Sequence, residues 1–264
     1  MRALSQFVLE MPADIRVLLF DIDDTLTTDG KLTAAAFDAM WRAKAAGLIV
    51  IPITGRPAGW CDHIARMWPV DAVVGENGAF YFRYDAPAKK LVRHFVLTES
   101  ERSANRSRVG AVAQQILREI PAAAMSSDQA WRAADIAIDF CEDVPRLPPA
   151  DVARIKALME AAGLTAKISS IHVNGWIGDY DKLSTTSRLM RAEFGLDIDA
   201  QNAKLVFVGD SPNDQPMFAH FMHSVGVANV ADFVGQLASP PKYVTKARSG
   251  QGFVELVDAL LSRG

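Results

Sequence analysis

The sequence predicts an α/β fold: a doubly wound parallel sheet interrupted by a second, α+β domain. Three observations predict it. Short, wholly apolar runs alternate with helical patterns at about 30 residues per unit, as expected of parallel strands covered on both faces. Loops bearing acids or threonine come after those runs at their carboxyl ends, where such sheets hold ligands. Between about residues 86 and 178 the pattern changes to alternating strands around two helical stretches, which suits an open sheet with helices on one face only.

Element by element, Arg16–Phe20 is the first convincing strand, and it stops at the acidic run DIDDTLTTDG. A helix is expected over Thr33–Ala46, with Gly47 as its stop, then a buried strand over Leu48–Ile53. TGRP and a helix to about Trp68 come next, then a strand, an Asn77-Gly78 turn and a second strand. The late chain repeats this order: KLVFVGD, HSVGVAN and PKYVT as strands, and GFVELVDALL as a closing amphipathic helix. In the middle, helices near Glu101–Glu119 and Pro149–Ala162 accompany the alternations LVRHFVL, ADIAIDF and AKISSIHVNGWI. The expected organisation is a core of residues 1–85 and 179–264 with residues 86–178 inserted. The first ten residues are read as a ragged lead-in, with Met11 an alternative start.

Composition narrows the function. Of 264 residues half are apolar and 22% charged, enough for a real core, and the net charge of −3 gives no general pull towards nucleic acid or anionic membrane. No apolar run has a membrane helix's length, and the two cysteines, Cys61 and Cys141, are too few for a disulfide scaffold. A cytoplasmic protein, monomeric or homodimeric, is expected.

The chemistry concentrates at strand ends. In Asp21-Ile22-Asp23-Asp24-Thr25 an extended backbone points Asp21 and Asp23 the same way, and two close carboxylates call for a cation or a shared proton. The pair suits a nucleophile, an acid/base partner and a divalent metal, although acids also favour turns and helix caps. Asp24 is assigned a turn or capping role. Thr54 after the second strand suits an N-cap before the helix that follows Pro57, a role compatible with further contacts of Thr54-Gly55, and Arg56 is left open. Lys182 opens a helix, where the dipole disfavours a cation unless it faces anions. Gly209–Asp214, GDSPND, reads as a turn that also carries Asp210, Asn213 and Asp214.

In order, DIDDTLT, ITGR, Lys182 and GDSPND resemble the four motifs of the haloacid dehalogenase superfamily of phosphohydrolases. Thr54 lies 33 residues after Asp21, Lys182 lies 128 after Thr54, and Asp210 lies 28 after Lys182. The long middle gap resembles that of subclass IIB, whose cap domain is inserted there and which includes sucrose-phosphate and trehalose-phosphate phosphatases as well as phosphomannomutases. The resemblance implies a Rossmann-like core in which Asp21 is the nucleophile and Asp23 the acid/base. It further implies that Thr54, Gly55, Lys182 and Asn213 bind phosphate. Mg²⁺ would be held by Asp21, the carbonyl of Asp23 and Asp210, with Asp214 supporting Lys182 or a metal-bound water. GENGA also resembles the family but is kept structural, as a turn.

In ISSIHVNGW the alternation puts Ser170, His172, Asn174 and Trp176 on one face. That face is expected to be open and to recognise a polyhydroxylated substrate. The resulting expectation is a Mg²⁺-dependent phosphatase acting on a small sugar or polyol phosphate. The alternatives are a phosphosugar mutase, with a second phosphate site among Arg93, Arg102, Arg106, Arg108 and Arg132, and a non-catalytic binding protein.

Overall fold

The structure, a computed structural model, describes residues 1–12 and 14–262. A six-stranded, all-parallel sheet forms its centre. Its strands are β1 (Arg2–Ala3), β2 (Val17–Phe20), β3 (Ile49–Pro52), β11 (Leu205–Gly209), β12 (His223–Gly226) and β13 (Tyr243–Val244), in the order β1-β13-β12-β11-β2-β3. The apolar runs make these strands because both faces are covered. On β2, Leu18 and Phe20 pack beneath α1 (Leu4–Glu10), α2 (Ala34–Ala45) and α8 (Ser249–Leu261). Val17 and Leu19 pack on the other face, beneath α6 (Lys182–Phe194) and α7 (Gln215–His220). Thr33 caps α2 by accepting from Ala36 N, and Gly195 closes α6 in the left-handed conformation.

One correction falls at the N-terminus. Residues 2–10 are no ragged lead-in: β1 is the edge strand, paired with β13, and Phe7 is fully buried against Tyr243 and His223. Sequence periodicity cannot reveal a two-residue strand whose partner lies some 240 residues away.

A second layer hangs from the β3 edge. Ile53 bridges to β4 (Val73–Gly75), which pairs antiparallel with β5 (Phe80–Asp85), and β5 with β6 (Lys90–Phe95). The alternation LVRHFVL therefore joins this hairpin and not the inserted sheet. α3 (Ala58–Met67) packs on the hairpin, burying Cys61 and Ile64 with Phe80 and Phe82. The inserted sheet is antiparallel, in the order β7 (Ala124–Met125), β8 (Asp135–Asp139), β10 (His172–Trp176), β9 (Thr165–Ile168). α4 (Glu99–Glu119) and α5 (Pro149–Ala161) cover its apolar face through Val109, Ile116, Ile155 and Met159, against Ile136, Ile138 and Val173. The opposite face meets the carboxyl ends of the parallel sheet, and the candidate site lies between them.

Candidate active site

Register puts the chemistry in one place. Phe20 is level with Pro52 and with Val208, so the residues that follow these three emerge side by side as Asp21, Ile53-Thr54 and Gly209-Asp210. Asp21 is anchored by donating its backbone N–H to the Val208 carbonyl, and Thr54 by donating its own to Val74. Thr54 Oγ1 accepts from Arg56 N at 3.0 Å, and the N-cap of α3 is Pro57, so the capping alternative for Thr54 does not hold.

Lys182 reaches the acids from the first turn of α6. Its Nζ donates to Asp21 Oδ1 at 2.6 Å and to Asp214 Oδ1 at 2.7 Å, and all three residues are buried. A capping box at Asp181 and Ser184 fixes the start of that helix, and the GENGA turn braces it. Thr185 Oγ1 donates to the Gly78 carbonyl, and a Cβ on Gly78 would lie 2.1 Å from the Asp181 carbonyl, so only glycine fits there. Asp214 Oδ2 accepts from Asp210 N and Ser211 N, and a Cβ on Gly209 would strike it at 2.4 Å. Glycine at 209 lets this carboxylate fold back under the strand end.

Oxygens of Asp21, Asp210 and Asp214 lie within 4.8 Å of one another. Burial, together with the neighbouring acids and against the pull of Lys182, pushes the Asp21 carboxyl up to about 8. Burial likewise raises Asp210 well above the usual carboxylate range. One lysine is too little positive charge for three buried carboxylates. Hard oxygen donors with no His or Cys among them suit Mg²⁺, so the residues fit the expected ion. Asp210 is oriented by Thr25 Oγ1 at 3.1 Å and by Asn229 Nδ2 at 3.3 Å. Asp24 sits at positive φ in the turn below, its carbonyl accepting from Asn229.

Sequence reasoning missed Asn77, Glu76 and Glu142 here, and named Arg56 and Arg132 without their contacts. Asn77, assigned only a turn, is buried and faces the Thr54-Gly55 loop: its Oδ1 accepts from Asn213 Nδ2 at 3.4 Å, and its Nδ2 is buried with no hydrogen-bond partner. A Cβ on Gly55 would meet that amide at 3.2 Å, so glycine leaves the backbone there open to a ligand. Arg56 binds Asp23 through Nε and Nη2, at 2.7–3.1 Å, and reaches across to Glu142 at 2.7 Å and Asp128 at 3.5 Å. Its ring neighbour is Trp60, 4.5 Å away. Glu142 stands on a loop whose N–H groups Asp139 collects, from Cys141 to Asp143. Burial raises the Glu142 carboxyl, but His172 and Arg56 outweigh it and hold it at about 2. Arg132 is buried between Asp128 and Asp135 and donates to the Gly55 carbonyl at 2.9 Å. Glu76, at φ 44°, accepts from Ala58, Ala133, Ala134 and Asp135 N–H groups, joining α3 to the start of β8. The one legible signal was the acid and amide of GENGA placed just after a strand.

The cap residues divide. His172 and Asn174 line the cleft with Asp21, Asp23, Gly55, Arg56 and Asn213; Asn174 donates to Asp135 at 3.0 Å, and His172 Nε2 lies 2.9 Å from Glu142. The face they occupy is covered, not open. Trp176, on the same face, is 1% exposed, packed with Phe80, Phe82 and Tyr180, and donates Nε1–H to the Tyr180 carbonyl. Alternation identified the face, but the core hairpin fills its far end. The cleft encloses about 10 Å³, room for about one water. Arg93, Arg102 and Arg106 line a separate groove beyond α3, and Arg132 is committed to carboxylates.

The model of the haloacid dehalogenase-like hydrolase family matches residues 18–103. No curated protein matches the sequence. Among solved structures, the chain is similar to a HAD/COF-like hydrolase from Plasmodium vivax, at 17% identity and a TM-score of 0.69, covering 98% of this chain and 99% of that one. It is similar to a sucrose-phosphatase from Synechocystis, in complex with sucrose and phosphate, at 13% identity and 0.63, over 93% and 98%. It is also similar to a HAD subclass IIB sugar phosphatase, at 14% and 0.61, over 92% and 96%. The family's model thus matches the stretch that carries β2, β3 and the Thr54-Gly55 loop, and nearly the whole length of the chain shares the fold of these solved structures.

Proposed function

We propose that the protein is a Mg²⁺-dependent phosphatase of small phosphomonoesters, sugar or polyol phosphates above all, acting in the cytoplasm through an aspartyl-phosphate. The observation that carries this reading is Lys182 held between Asp21 and Asp214, with Asp210 beside them and the Thr54-Gly55 loop opposite. Such clusters of buried acids around one lysine are costly for a fold and suit a site that receives a dianion and a cation.

Asp21 Oδ attacks phosphorus as the bond to the leaving oxygen breaks. Lys182 holds that carboxylate in line and offsets the phosphoryl charge. Asp23 gives its proton to the leaving oxygen, then takes one from the water that cleaves the acyl-phosphate, releasing phosphate and restoring Asp21. The Gly55 N–H, Thr54 and Asn213 grip the phosphoryl oxygens, and the unpaired Asn77 amide is available as a further donor. Asp21, the Asp23 carbonyl and Asp210 would hold Mg²⁺, which supplies positive charge to the phosphoryl group. The segment from 86 to 178 acts as a cap: Glu142, His172 and Asn174 face the leaving group and exclude water.

The test is release of inorganic phosphate from a panel of phosphorylated metabolites with Mg²⁺, and its loss in excess chelator. Isomer formation without phosphate release would instead favour a mutase, which the commitment of Arg132 to Asp128 and Asp135 argues against. No turnover of any phosphomonoester would leave a binding protein.

A further inference from the structure

A groove of about 690 Å³ lies outside the catalytic cleft, walled by α3, the β5–β6 hairpin and the first turns of α4. It falls in the size range of small-molecule sites and shares no lining residue with the cleft around Asp21. Arg66, Arg93, Arg102 and Arg106 line it against two acids, Asp62 and Glu99, leaving two formal positive charges on a chain whose net charge is −3. Three of the guanidinium groups are laid on rings: Arg66 on Tyr84, Arg93 on Phe82 and Arg102 on Phe95, the last at 3.7 Å.

That stacking leaves donors free. Asp62 engages one nitrogen of Arg66 and one of Arg93, each at 2.6 Å. An arginine carries five N–H donors, so most of theirs make no hydrogen bond among the described residues. Arg102 is tied to Glu99 and to the Leu97 carbonyl, and Arg106 makes no ion pair among the described residues. Phe95 and Met67 add apolar wall beside the charge. Stacked guanidinium groups lose little freedom when they grip a planar or tetrahedral anion.

We propose that this groove is a second, non-catalytic binding site for the dianion of a small phosphorylated molecule. Arg66, Arg93 and Arg106 take the phosphate, and the organic body rests on Met67 and against the edge that Phe95 gives to the groove. The two uncompensated charges match a phosphate monoester dianion, and the apolar wall distinguishes an organic phosphate from the free ion.

Isothermal titration at pH 8 in metal-free buffer tests this with two probes that the enzyme cannot hydrolyse, inorganic phosphate and phenylphosphonate. Phenylphosphonate is expected to bind more tightly than phosphate. Its affinity should survive Thr54→Ala, which disables the catalytic phosphate loop. It should fall by about tenfold or more in the double variant Arg93→Gln, Arg106→Gln, whose exposed positions leave the fold and the basal hydrolysis of para-nitrophenyl phosphate unchanged. No binding at millimolar probe, or binding that is lost with Thr54 and ignores the two arginines, overturns the proposal. Neither result depends on which phosphomonoester the enzyme cleaves.

Discussion

Glu76 is a carboxyl with no solvent exposure, at positive φ, whose two oxygens collect four backbone N–H groups. Two effects oppose each other there. Burial and the nearby Asp135 favour the neutral acid, while Arg132 and the N–H donors favour the carboxylate. The first wins, and the group moves from the ordinary 4.5 up to about 7. A folded-state value above the unfolded one means that folding takes up a proton. The stability Glu76 contributes is therefore complete below about pH 4.5 and is lost as pH rises through about 7. At about 1.4 kcal/mol per unit, the loss across that window amounts to about 3 kcal/mol. Glu76→Gln mimics the neutral acid and does not titrate. Urea denaturation of both proteins from pH 4.5 to 8 should show the wild type losing about 3 kcal/mol relative to the variant, with most of the change between pH 5 and 7. A constant difference across that range would refute the reasoning. It would mean that the four N–H groups outweigh burial and that Glu76 is a carboxylate throughout.

The same contacts lead to four other outcomes. Trp176→Ala should cost about 3–5 kcal/mol in denaturant, with no preferential loss on sugar phosphates over para-nitrophenyl phosphate; unchanged stability with a selective kinetic loss would contradict its burial. Lys182→Ala should remove hydrolysis of every phosphomonoester and, in metal-free buffer, destabilise the fold by about 3–5 kcal/mol by removing the cation between buried Asp21 and Asp214; a fully stable variant would show that these ion pairs carry no net stability. Asp21→Asn should abolish turnover without lowering the melting temperature, because it relieves crowding with Asp210; residual near-normal turnover would rule out a covalent step. His172→Ala or Asn174→Ala should lower kcat/KM for the preferred substrate by about tenfold to a hundredfold while sparing para-nitrophenyl phosphate, and equal losses on both would place recognition elsewhere.

How much of this was legible depended on range. The strand ends were readable because β2, β3 and β11 are uninterrupted apolar runs in one direction. Asp21, Thr54 and Asp210 come directly after those runs, so they had to emerge on one side of a parallel sheet. Lys182, Asn213 and Asp214 were singled out by the resemblance of the four motifs, since a lone lysine at a helix start and a Gly/Pro/Asn turn carry little signal of their own. Arg56 was visible as a residue but not as a contact, because its choice among Asp23, Asp128 and Glu142 is settled by tertiary packing. The same holds for the contact of Arg132 with Gly55, 77 residues away, and for those of Glu76 with Ala133–Asp135, 57 to 59 residues away. Trp176 shows the limit of alternation. A period of two assigns His172, Asn174 and Trp176 to one face, but it says nothing about what covers that face, and a hairpin covers part of it. At the N-terminus, Phe7 gave no periodic signal because a seven-residue helix is too short to show one.

Arg56 is where the two halves of the site meet, and its contacts are unequal. It holds Asp23, on the core, with two nitrogens at 2.7–3.1 Å, and Glu142, on the inserted segment, with one nitrogen at 2.7 Å. A phosphomonoester needs far more room than the single water that fits the cleft, so ties across the cleft must part before one binds. The arginine contacts spanning it are Arg56 with Glu142 and with Asp128, and Arg132 with the Gly55 carbonyl, whereas the Glu76 staple lies beyond it, at Ala133–Asp135. Parting there leaves Arg56 with Asp23, by the greater number of bonds, and leaves Glu142 beside His172 on the inserted segment. On the proposed reading, the groups that would handle phosphate stay on the strand ends, and those that would meet the rest of the substrate move with Glu142. Substitutions at Glu142, His172 and Asn174 are then expected to change recognition and to leave attack by Asp21 unaltered.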